Sequence, residues 1–466
     1  MLRLAITVLG CATFALGQQR PEVVLNGVIT LADHGRYKEI PFAVPEGVAR
    51  LTVEFAYTGR EQRTTIDLGI FDGERFRGWS GGNKAAFTIA ATDATPSFLA
   101  GPVRAGRWFL LLGVPNIRPN VRSEFTAKIY FGHTGDGFGA ALGSRGPGWY
   151  RGDLHMHTGH SDGSCLSQNG ARVPCPVFKT VQAAAERGLD FIAITDHNTD
   201  SQMDAMRELQ AYFDRVLLIP GREITTFRGH ANVFGPVDFI DFRLGSKSVP
   251  DFGALADEVE RMHGLLSINH PMLPTGENCM GCGWAVNDTD FRRIRAVEVV
   301  SGDRLEGIAF WETLLSRGLR VTAVGGSDNH DAGKALDQPG SVGYPETVVK
   351  AQNLTQDAIL EGIRAGHVFL DLEGSKNRLL EYTATVGTRR AEMGDSLEAG
   401  RGETIHLAVR VAKADGTSVN VLQDGLLVSG NSFEWTSDGQ RHWVRVVVLT
   451  AAGKTILLGN PIFINF

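Results

Sequence analysis

The sequence contains few cysteines, no excess of basic residues and no apolar run long enough to cross a membrane. Its 46 lysines and arginines are outnumbered by 52 aspartates and glutamates, which gives a formal net charge of -6. Because no basic run is present, this balance argues against a dedicated nucleic-acid-binding surface, although it leaves a nucleotide open as a substrate. A chain of 466 residues predicts two or three domains, since roughly 150 residues per domain is usual.

The N-terminus has the pattern of a secretory signal peptide. Arg3 supplies a positive charge ahead of the apolar run at residues 4–16, which is too short to span a bilayer. Small residues at Ala15 and Gly17 favour cleavage before Gln18, so we expect residues 1–17 to be removed and the protein to be periplasmic or extracellular. Residues 8–11 resemble a lipobox, which makes lipid anchoring at Cys11 a less favoured alternative.

Export changes how the remaining cysteines are interpreted. Removal of the signal peptide leaves Cys165, Cys175, Cys279 and Cys282, an even number in an oxidising compartment, so disulfides are expected. Three pairings are possible, and we favour the local one, 165 with 175 and 279 with 282, because each pair would fix a loop beside a candidate ligand motif. A single CxxC is a weak zinc signal, since half of a zinc ribbon is missing.

Composition divides the mature chain into three regions. Residues 23–135 hold many short runs of branched and aromatic residues between Gly, Pro and Asp turns, which predicts an N-terminal β-sandwich. A glycine-rich stretch at residues 137–148 marks the boundary with a region of alternating helices and strands at residues 150–372. Strand-like runs return at residues 376–466 and predict a small C-terminal β-sandwich.

The middle region repeats one arrangement of a helix, a glycine, a short apolar strand and a candidate ligand. Gly188, Gly264 and Gly318 are the three glycines, and each is expected to end its helix in a left-handed cap. Strands that alternate with helices pair in parallel, and about 220 residues of this pattern are closer to a barrel than to a small open sheet. Candidate ligands at successive strand ends would then converge on one rim.

Nine side chains in this region are candidate metal ligands, and most of their motifs follow a short apolar run. They are His155, His157, Asp162, His197, Glu223, His230, His270, Asp328 and His330. The His155-x-His157 pair places two imidazoles on the same side of a strand, where they can chelate one ion. Histidines with carboxylates suit zinc, manganese and iron alike, so the pattern predicts two or three divalent ions without identifying the metal.

Five short motifs carry a more specific signal. They are, in chain order, HMHT with SDG at residues 155–163, TDH at 195–197, GRE at 221–223, NHP at 269–271 and GSDNH at 326–330. In this order they resemble the polymerase and histidinol phosphatase (PHP) superfamily over residues 150–372. The flanking sandwich regions and the GHANV sequence at residues 229–233 resemble the CehA/McbA-type metallohydrolases in particular.

The resemblance implies a multidomain α/β and all-β protein, with a distorted (β/α)7 PHP barrel flanked by the two β-sandwiches. It also divides the nine ligands among up to three ions: His155, His157 and Asp328 for the first, His230 and His270 for the second with Glu223 as the bridge, and Asp162, His197 and His330 for the third. Some superfamily members have a histidine where Asp162 stands, so His160 is the alternative ligand.

The expected function is that of an exported metal-dependent hydrolase using a metal-bridging hydroxide. Phosphomonoesters or phosphodiesters are the favoured substrates because their cleavage dominates the superfamily, so we expect an anionic small-molecule ester. Glu223, Asp196 and Asp328 are the expected catalytic residues, with Asp196 orienting ligands or relaying protons from outside the ligand set. No serine lies in a G-x-S-x-G context, so no covalent serine nucleophile is indicated.

Two alternatives stay open at this stage. The first is ester or carbamate hydrolysis, as in the carbaryl-cleaving type, with Phe227 and Trp284 stacking on an aromatic leaving group. Arg222 and Arg228, which lie near Glu223 in the sequence, instead favour an anionic substrate. The second alternative is a non-catalytic surface binding protein that works through its sandwiches.

Other polar residues have weaker claims to a role. Glu298 and Asp303 are considered only as pocket-lining carboxylates, because a carboxylate in a loop is usually just solvated. Six histidines lack a ligand-like context and are excluded from the site: His34, His133, His263, His367, His406 and His442.

Overall fold

The computed structural model describes residues 20–132, 142, 145–277, 279–428 and 433–466. The predicted signal peptide at residues 1–17, with Cys11, lies outside these residues, as do His133 and part of the glycine-rich stretch at 137–148. Among the described residues, none of the helices has the length and apolar character needed to span a bilayer. The chain divides into two compact units by its internal contacts.

The first unit, residues 20–90 and 97–132, is built from strands and two short 3-10 helices. Its strands are β1 (Val23–Ile29), β2 (Tyr37–Val44), β3 (Arg50–Tyr57), β4 (Thr65–Phe71), β5 (Phe76–Trp79), β6 (Ala86–Ala90), β7 (Gly106–Asn116) and β8 (Ser123–Gly132). They form two four-stranded antiparallel sheets in the orders β1-β8-β3-β6 and β2-β7-β4-β5. Alternate residues of β3, such as Leu51, Val53 and Phe55, are buried, because one face of its sheet is covered. The β-rich character predicted for this region is confirmed.

The second unit contains residues 91–96 and the described residues from 142 onward. Its strands are β9 (Gly148–Asp153), β10 (Ser164–Leu166), β11 (Arg172–Pro174), β12 (Phe191–Ile194), β13 (Leu217–Thr226), β14 (Gly229–Phe234), β15 (Leu265–Ile268), β16 (Ala296–Ser301), β17 (Thr322–Gly326), β18 (Glu346–Ala351), β19 (Val368–Asp371), β20 (Leu379–Val386), β21 (Arg389–Glu392), β22 (Ser396–Leu397), β23 (Thr404–Ala412), β24 (Ser418–Gln423), β25 (Leu426–Leu427), β26 (Glu434–Thr436), β27 (His442–Leu449), β28 (Thr455–Gly459) and β29 (Ile462–Ile464). Its helices are α1 (Val177–Arg187), α2 (Met203–Gln210), α3 (Phe252–Arg261), α4 (Gly307–Ser316) and α5 (Gln356–Arg364).

One large mixed sheet organises this unit. Its order is β17-β16-β15-β14-β13-β12-β9-β18-β19-β28-β27-β24-β25, with β22 and β29 joined at its side. The strands β9, β12 and β13 pair in parallel, and so do β15, β16 and β17. Since β28 pairs with β19, the regions predicted as residues 150–372 and 376–466 share this sheet. A separate four-stranded sheet has the order β21-β20-β23-β26.

The predicted (β/α)7 barrel is not evident in this sheet. Only five α-helices occur among the described residues, and none lies between β13 and β14 or between β15 and β16. The strand β14 turns back from β13 after residue 226 and pairs antiparallel with both β13 and β15, which interrupts the parallel order. A single parallel bridge between Met156 and Asn329 links the segments that follow β9 and β17.

The helix ends follow the glycine pattern in two of the three predicted cases. Gly188 (φ +84°) and Gly318 (φ +81°) adopt the left-handed conformation after α1 and α4. After α3, His263 (φ +56°) takes that conformation in place of Gly264. Gly264 instead allows close packing, since a Cβ there would lie 2.9 Å from Val259 Cγ1. This explains why a glycine follows the helix although it does not cap it.

A large apolar core fills the space between the sheet and its helices. Phe191 on β12, Phe234 on β14, Phe252 on α3 and Trp311 on α4 are among its largest fully buried side chains. The Trp311 indole nitrogen donates to the carbonyl of Val321, so its one polar group is satisfied. This packing fixes the strands from which the ligand residues emerge.

A substitution at Gly152 on β9 tests whether close packing between neighbouring strands contributes to the stability of this core. It lies opposite Phe191 in the parallel pair, and a Cβ at Gly152 would come within 2.3 Å of the Phe191 ring. We expect Gly152→Ala to lower the free energy of unfolding by about 1–3 kcal/mol, because overpacking forces the buried ring to move. Gly148→Ala in the same strand, where a Cβ would meet nothing within 4 Å, is the matched control, and urea unfolding of both variants measures the difference. Equal stabilities would contradict the packing described for Gly152.

Candidate metal centre

The nine predicted ligand residues lie on or just after six strands of the sheet. His155, His157 and Asp162 follow β9, His197 follows β12, and His270 follows β15, whereas Asp328 and His330 follow β17. Glu223 and His230 lie within β13 and β14 and are brought to the same place by the antiparallel pairing of these strands. Residues far apart in the sequence therefore meet at one edge of the sheet.

Glu223 lies at the centre of this cluster and is fully buried. Its Oε1 atom lies 3.2 Å from His230 Nδ1 and 3.3 Å from His270 Nε2. Its Oε2 atom lies 2.8 Å from His197 Nδ1 and 3.4 Å from His155 Nε2. The two oxygens of one carboxylate thus face different groups of histidines, which is the geometry that a bridging ligand requires.

His155, His157 and Asp328 form a compact group on one side of Glu223. Asp328 Oδ1 lies 3.3 Å from His155 Nε2 and 3.2 Å from His157 Nε2. These three residues offer ligand atoms within 4.8 Å of one another, and His155, Glu223 and His270 form a second such group. The first group contains the same three residues that the resemblance assigns to the first ion.

Asp162, His197 and His330 meet on the more exposed side of the cluster, and His157 joins them there. Asp162 lies 3.4 Å from His330 Nε2 through Oδ1 and 3.7 Å from His197 Nε2 through Oδ2. The alternative ligand, His160, is turned away and shares a 2.8 Å hydrogen bond with Ser201 through Nδ1. The geometry favours Asp162 over His160 as the residue that completes this group.

Several histidines use one ring nitrogen for a fixed acceptor and turn the other toward the cluster. The Nδ1 atoms of His155 and His330 lie 3.0 Å from Glu298 Oε1 and 2.9 Å from the Asp328 carbonyl, and His230 Nε2 lies 3.1 Å from the Met280 carbonyl. A carbonyl accepts only from N–H, so once the ring is neutral the lone pair is on the second nitrogen, which faces the cluster. Metal-binding histidines are oriented in this way.

A second observation also indicates that these residues could hold divalent cations. Four buried ring nitrogens make no hydrogen bond among the described residues: His155 Nε2, His157 Nδ1, His230 Nδ1 and His270 Nδ1. Unpaired buried polar atoms are unfavourable in a folded protein, and three of these four nitrogens, His155 Nε2, His157 Nδ1 and His230 Nδ1, face carboxylates of the cluster, where an ion would satisfy them. All nine predicted ligands belong to groups whose ligand atoms lie within 4.8 Å of one another, although the group of His230 and His270 also includes Cys282, whose sulfur is held in a disulfide.

Electrostatic interactions set the protonation of the cluster. Burial opposes ionisation of Glu223 and Asp328, but the surrounding histidines, foremost His155, hold the pKa of each carboxyl well below its ordinary value. Burial, together with His330 and His197, lowers the pKa of His157 to about 4. Burial also acts against protonation of His330, yet Asp162 and Asp328 raise its pKa to about 9. Binding of cations at this site would therefore displace protons.

The backbone around the cluster adopts a rare conformation at three residues. Asn198 (φ +53°), His270 (φ +26°) and Asp328 (φ +51°) lie in or near the left-handed region, each just after a strand of the sheet. Such strain is uncommon outside glycine and concentrates at functional sites. Here it turns the chain so that His270 and Asp328 point back toward Glu223.

Two further residues support the ligands, and the sequence pattern does not single them out. Glu298 on β16 is buried and bonds both His155 Nδ1 and the backbone N–H of His270, which donates to Oε2 at 2.9 Å. Asn269 donates from Nδ2 to Glu223 Oε1 at 2.9 Å. A carboxylate inside the apolar run AVEVV was the available signal for Glu298, since an unpaired charge is rarely buried. Asp303, considered with it, lines the cavity instead.

Asp196 is buried beside the ligand loop rather than among the ligands. Its carboxylate accepts hydrogen bonds from the backbone N–H and the hydroxyl of Thr158, both at 2.7 Å, and from the Ser161 hydroxyl at 2.6 Å. These contacts fix the turn between His157 and Asp162. They give Asp196 the geometry of a positioning residue.

A cavity of about 940 Å³ reaches the ligand cluster. Its lining includes Glu223, His270 and His330, together with the basic residues Arg172, Arg304 and Lys334, which the sequence analysis did not identify. Arg222 and Arg228, proposed there as anion contacts, are not among its lining residues. Arg222 is buried and donates to the Pro236 carbonyl, because it points to the face of β13 opposite Glu223.

The two aromatic residues proposed for substrate stacking also lie away from the cavity lining. Phe227 is 92% exposed. Trp284 packs against Gly229 and Phe252 and donates its indole N–H to Thr289. The sequence could not separate these roles, because a residue's type and its position in a loop do not fix the direction of its side chain.

Both disulfides pair as predicted, Cys165 with Cys175 and Cys279 with Cys282. The first links Cys165 on β10 to Cys175, the residue directly after β11, next to the loop that carries Asp162. The second closes the loop whose Met280 carbonyl bonds His230. Each disulfide thus borders a segment that contacts or carries a ligand residue.

No family model and no curated protein matches this chain. Among solved structures, it is similar to a two-domain protein of Bacteroides vulgatus that contains a predicted PHP-like metal-dependent phosphoesterase, with 19% identity, a TM-score of 0.37, and coverage of 71% of this chain and 99% of that one. It is also similar to a candidate metal-dependent phosphoesterase of Bifidobacterium adolescentis, with 19% identity, a TM-score of 0.30, and coverage of 45% and 94%. The name of the first protein and the motif resemblance refer to the same superfamily. At these identities and TM-scores, however, the likeness carries no argument about the family or the reaction of this chain, and the proposals below rest on the ligand cluster.

A substitution at Gly326, at the end of β17, tests whether close packing holds His155 and Glu298 in position. A Cβ at this position would lie 2.3 Å from His155 Cβ and 2.7 Å from Glu298 Oε1. We expect Gly326→Ala to weaken metal binding about 10–100-fold, because it displaces both a ligand and the carboxylate that orients it. Competition with a chromophoric chelator measures the affinity, and Gly148→Ala serves as the control. A variant with wild-type affinity would show that this packing does not position His155.

Removal of the Cys279–Cys282 disulfide tests whether this loop holds the Met280 carbonyl against His230. We expect the double variant Cys279→Ser/Cys282→Ser to bind metal about tenfold more weakly or worse, because the Met280 carbonyl would no longer be held against His230 Nε2. Metal titration of the oxidised wild type and the double variant gives the comparison. Unchanged affinity would mean that the loop holds its position without the disulfide.

Proposed function

We propose that this chain is an exported PHP-superfamily hydrolase of the CehA/McbA type that cleaves phosphoesters with two or three divalent ions. The observation that carries the proposal is the buried Glu223 carboxylate, whose two oxygens face separate histidine groups. One closed structural ion needs about four ligands, whereas nine converge here beside an accessible cavity. This excess favours a reaction centre over a purely structural site.

Divalent ions at such a site generate a nucleophile from water near neutral pH and stabilise the charge that develops on an ester oxygen. Glu223 would bridge two ions, with His155, His157 and Asp328 on one side and His230 and His270 on the other. Asp162, His197 and His330 would hold a third ion. Zinc, manganese and iron all suit this set of ligands.

The protein's own residues prepare the site for this chemistry. Glu298 orients His155 and the His270 backbone, so two ligands are fixed by one buried carboxylate. Thr225 Oγ1 lies 2.6 Å from His197 Nδ1 and limits rotation of that ring. Asp196 holds the turn before Asp162 and acts by positioning it, whereas Asp328 acts directly as a ligand. Preorganisation of this kind reduces the reorganisation that accompanies the reaction.

Phosphoesters are favoured over carboxylic esters or carbamates because of the side chains around the cluster. Basic residues line the cavity, and the aromatic residues Phe227 and Trp284 do not. A phosphoryl group carries negative charge that such residues and the ions can bind. A non-catalytic binding role would not require an intact set of nine ligands.

The reaction and its metal dependence can be tested together. We expect the purified protein to bind at least two ions per chain and to cleave aryl phosphate monoesters or diesters. A chelator should abolish turnover, and zinc, manganese or iron(II), added separately, should identify the active metal. Glu223→Gln should lower kcat/KM by about 100-fold or more, since it weakens the shared ligand.

Glu208→Gln is the matched control, because Glu208 is exposed on α2 away from the cavity. The substrate panel should include naphthyl methylcarbamate and a naphthyl carboxylic ester. Cleavage of these compounds without any phosphoester turnover would replace the phosphoesterase proposal with the carbamate or ester alternative. A protein that binds fewer than two ions and cleaves nothing would favour the binding-protein alternative.

A further inference from the structure

Three basic side chains line the cavity beside the ligand cluster, and they differ in how they are bonded. Arg172 donates to the Ser164 hydroxyl at 2.6 Å and to Asp331 Oδ2 at 2.9 Å, so its charge is already paired. The side chains of Arg304 and Lys334 have no carboxylate within ion-pair distance in the described part of the chain. Arg304 and Lys334 are therefore available to a ligand.

The loops that carry Arg304 and Lys334 meet beside the metal ligands. A Cβ on Gly302 would lie 3.5 Å from Gly340 and 3.6 Å from the Ser327 carbonyl, so these segments pack against one another. Lys334 is half-buried, and its Nζ atom would lie 3.1 Å from a Cβ on Gly340. The position of the ammonium group is thus tied to the loop that follows His330.

Gly340 connects this loop to the ligand segment itself. Its carbonyl accepts a 2.8 Å hydrogen bond from Asn329 Nδ2, and Asn329 lies between the ligand residues Asp328 and His330. Asp331 in the same loop holds Arg172. Lys334 therefore lies in the loop that continues from two of the candidate ligands, and Arg172 is bonded to that loop through Asp331, whereas Arg304 lies in the neighbouring loop after β16.

Charge and volume together indicate what this part of the cavity binds. Cations placed near a site for divalent ions repel those ions, and a bound anion relieves this repulsion. Glu277 and Asp303 also line the cavity. They are exposed to solvent, as is Arg304, so all three charges are screened, whereas Lys334 is half-buried. The volume of about 940 Å³ is at the upper end of the roughly 300–1,000 Å³ typical of small-molecule sites, so it exceeds what a phosphoryl group alone requires.

We propose that the substrate carries a second anionic group, a phosphate or a carboxylate, which Arg304 and Lys334 bind while the scissile phosphoester lies at the Glu223 cluster. This inference rests on the proposed phosphoesterase function and narrows its substrate class to bifunctional phosphoesters that carry a second anionic group besides the scissile one. Arg304 and Lys334 are specificity-determining residues in this arrangement. Arg172 acts as a positioning residue, because its hydrogen bonds hold the Asp331 loop.

A matched series of aryl phosphates tests the proposal. Phenyl phosphate, 4-carboxyphenyl phosphate and 1,4-phenylene bisphosphate share the ring and the ester and differ only in the distal group. We expect the metal-loaded protein to cleave at least one of the two bifunctional esters with a kcat/KM about tenfold or more above that of phenyl phosphate, because charged hydrogen bonds form at the distal group. The preferred member identifies carboxylate or phosphate as the bound group.

Variants assign this preference to the two side chains. Arg304→Ala and Lys334→Ala should each reduce the ratio of kcat/KM between the preferred bifunctional ester and phenyl phosphate, and Lys334→Glu should reduce it further or reverse it. Arg317→Ala and Lys247→Ala are the controls, since these exposed residues do not line the cavity. Metal content and circular dichroism verify that each variant is folded and loaded.

The outcomes separate this inference from the function on which it rests. Turnover of phenyl phosphate without any preference, or a preference that both Ala variants retain, would overturn the second-anion proposal and leave the phosphoesterase proposal standing. If no phosphate is cleaved, calorimetry with phenylphosphonate and 4-carboxyphenylphosphonate decides the matter by binding. Tighter binding of the carboxylated compound to the wild type, lost in the double Ala variant, would support the basic pair, and equal binding would reject it.

Discussion

The burial of one ionised carboxylate constrains the rest of this structure. Glu223 has no exposure to solvent, and an uncompensated buried charge would destabilise the fold by several kcal/mol. Four histidines lie within 3.4 Å of its two oxygens, and Asn269 donates a further hydrogen bond. The neighbouring strands must therefore begin or end close to Glu223, because the histidines that compensate its charge lie at the start of β14 or just after β9, β12 and β15.

A second layer of groups keeps these partners in one orientation. Glu298 forms hydrogen bonds with His155 and with the His270 backbone N–H. The Met280 carbonyl is hydrogen-bonded to His230, and the Asp328 carbonyl to His330. Some of these hydrogen-bond partners are backbone atoms in loops, so the shape of those loops helps to determine the geometry of the candidate metal centre. The left-handed backbone at Asp328 also indicates that the loop is held in one shape, because a strained residue persists only where its surroundings determine it.

The sequence was informative about local chemistry and much less so about strand direction. The ligand motifs identified all nine converging residues, because each motif combines a metal-binding side chain with a strand end or loop. Apolar periodicity, however, does not distinguish parallel from antiparallel pairing, so the return of β14 beside β13 and the loss of barrel order were not predicted. The same limit explains why Glu298 was treated as a loop carboxylate and why Arg222 was expected in the cavity. In both cases the face of a strand, rather than the residue type, decides the role.

The pairing of β19 with β28 gives the last 90 or so residues a role that is distinct from recognition or catalysis. These residues cover the edge of the sheet whose other strands present the ligands. A fragment that ends near residue 372 would leave the N–H and C=O groups along that side of β19 without their strand partners, as a template for aggregation. The C-terminal segment therefore acts as an intramolecular edge cover for the sheet whose other strands carry the candidate metal ligands.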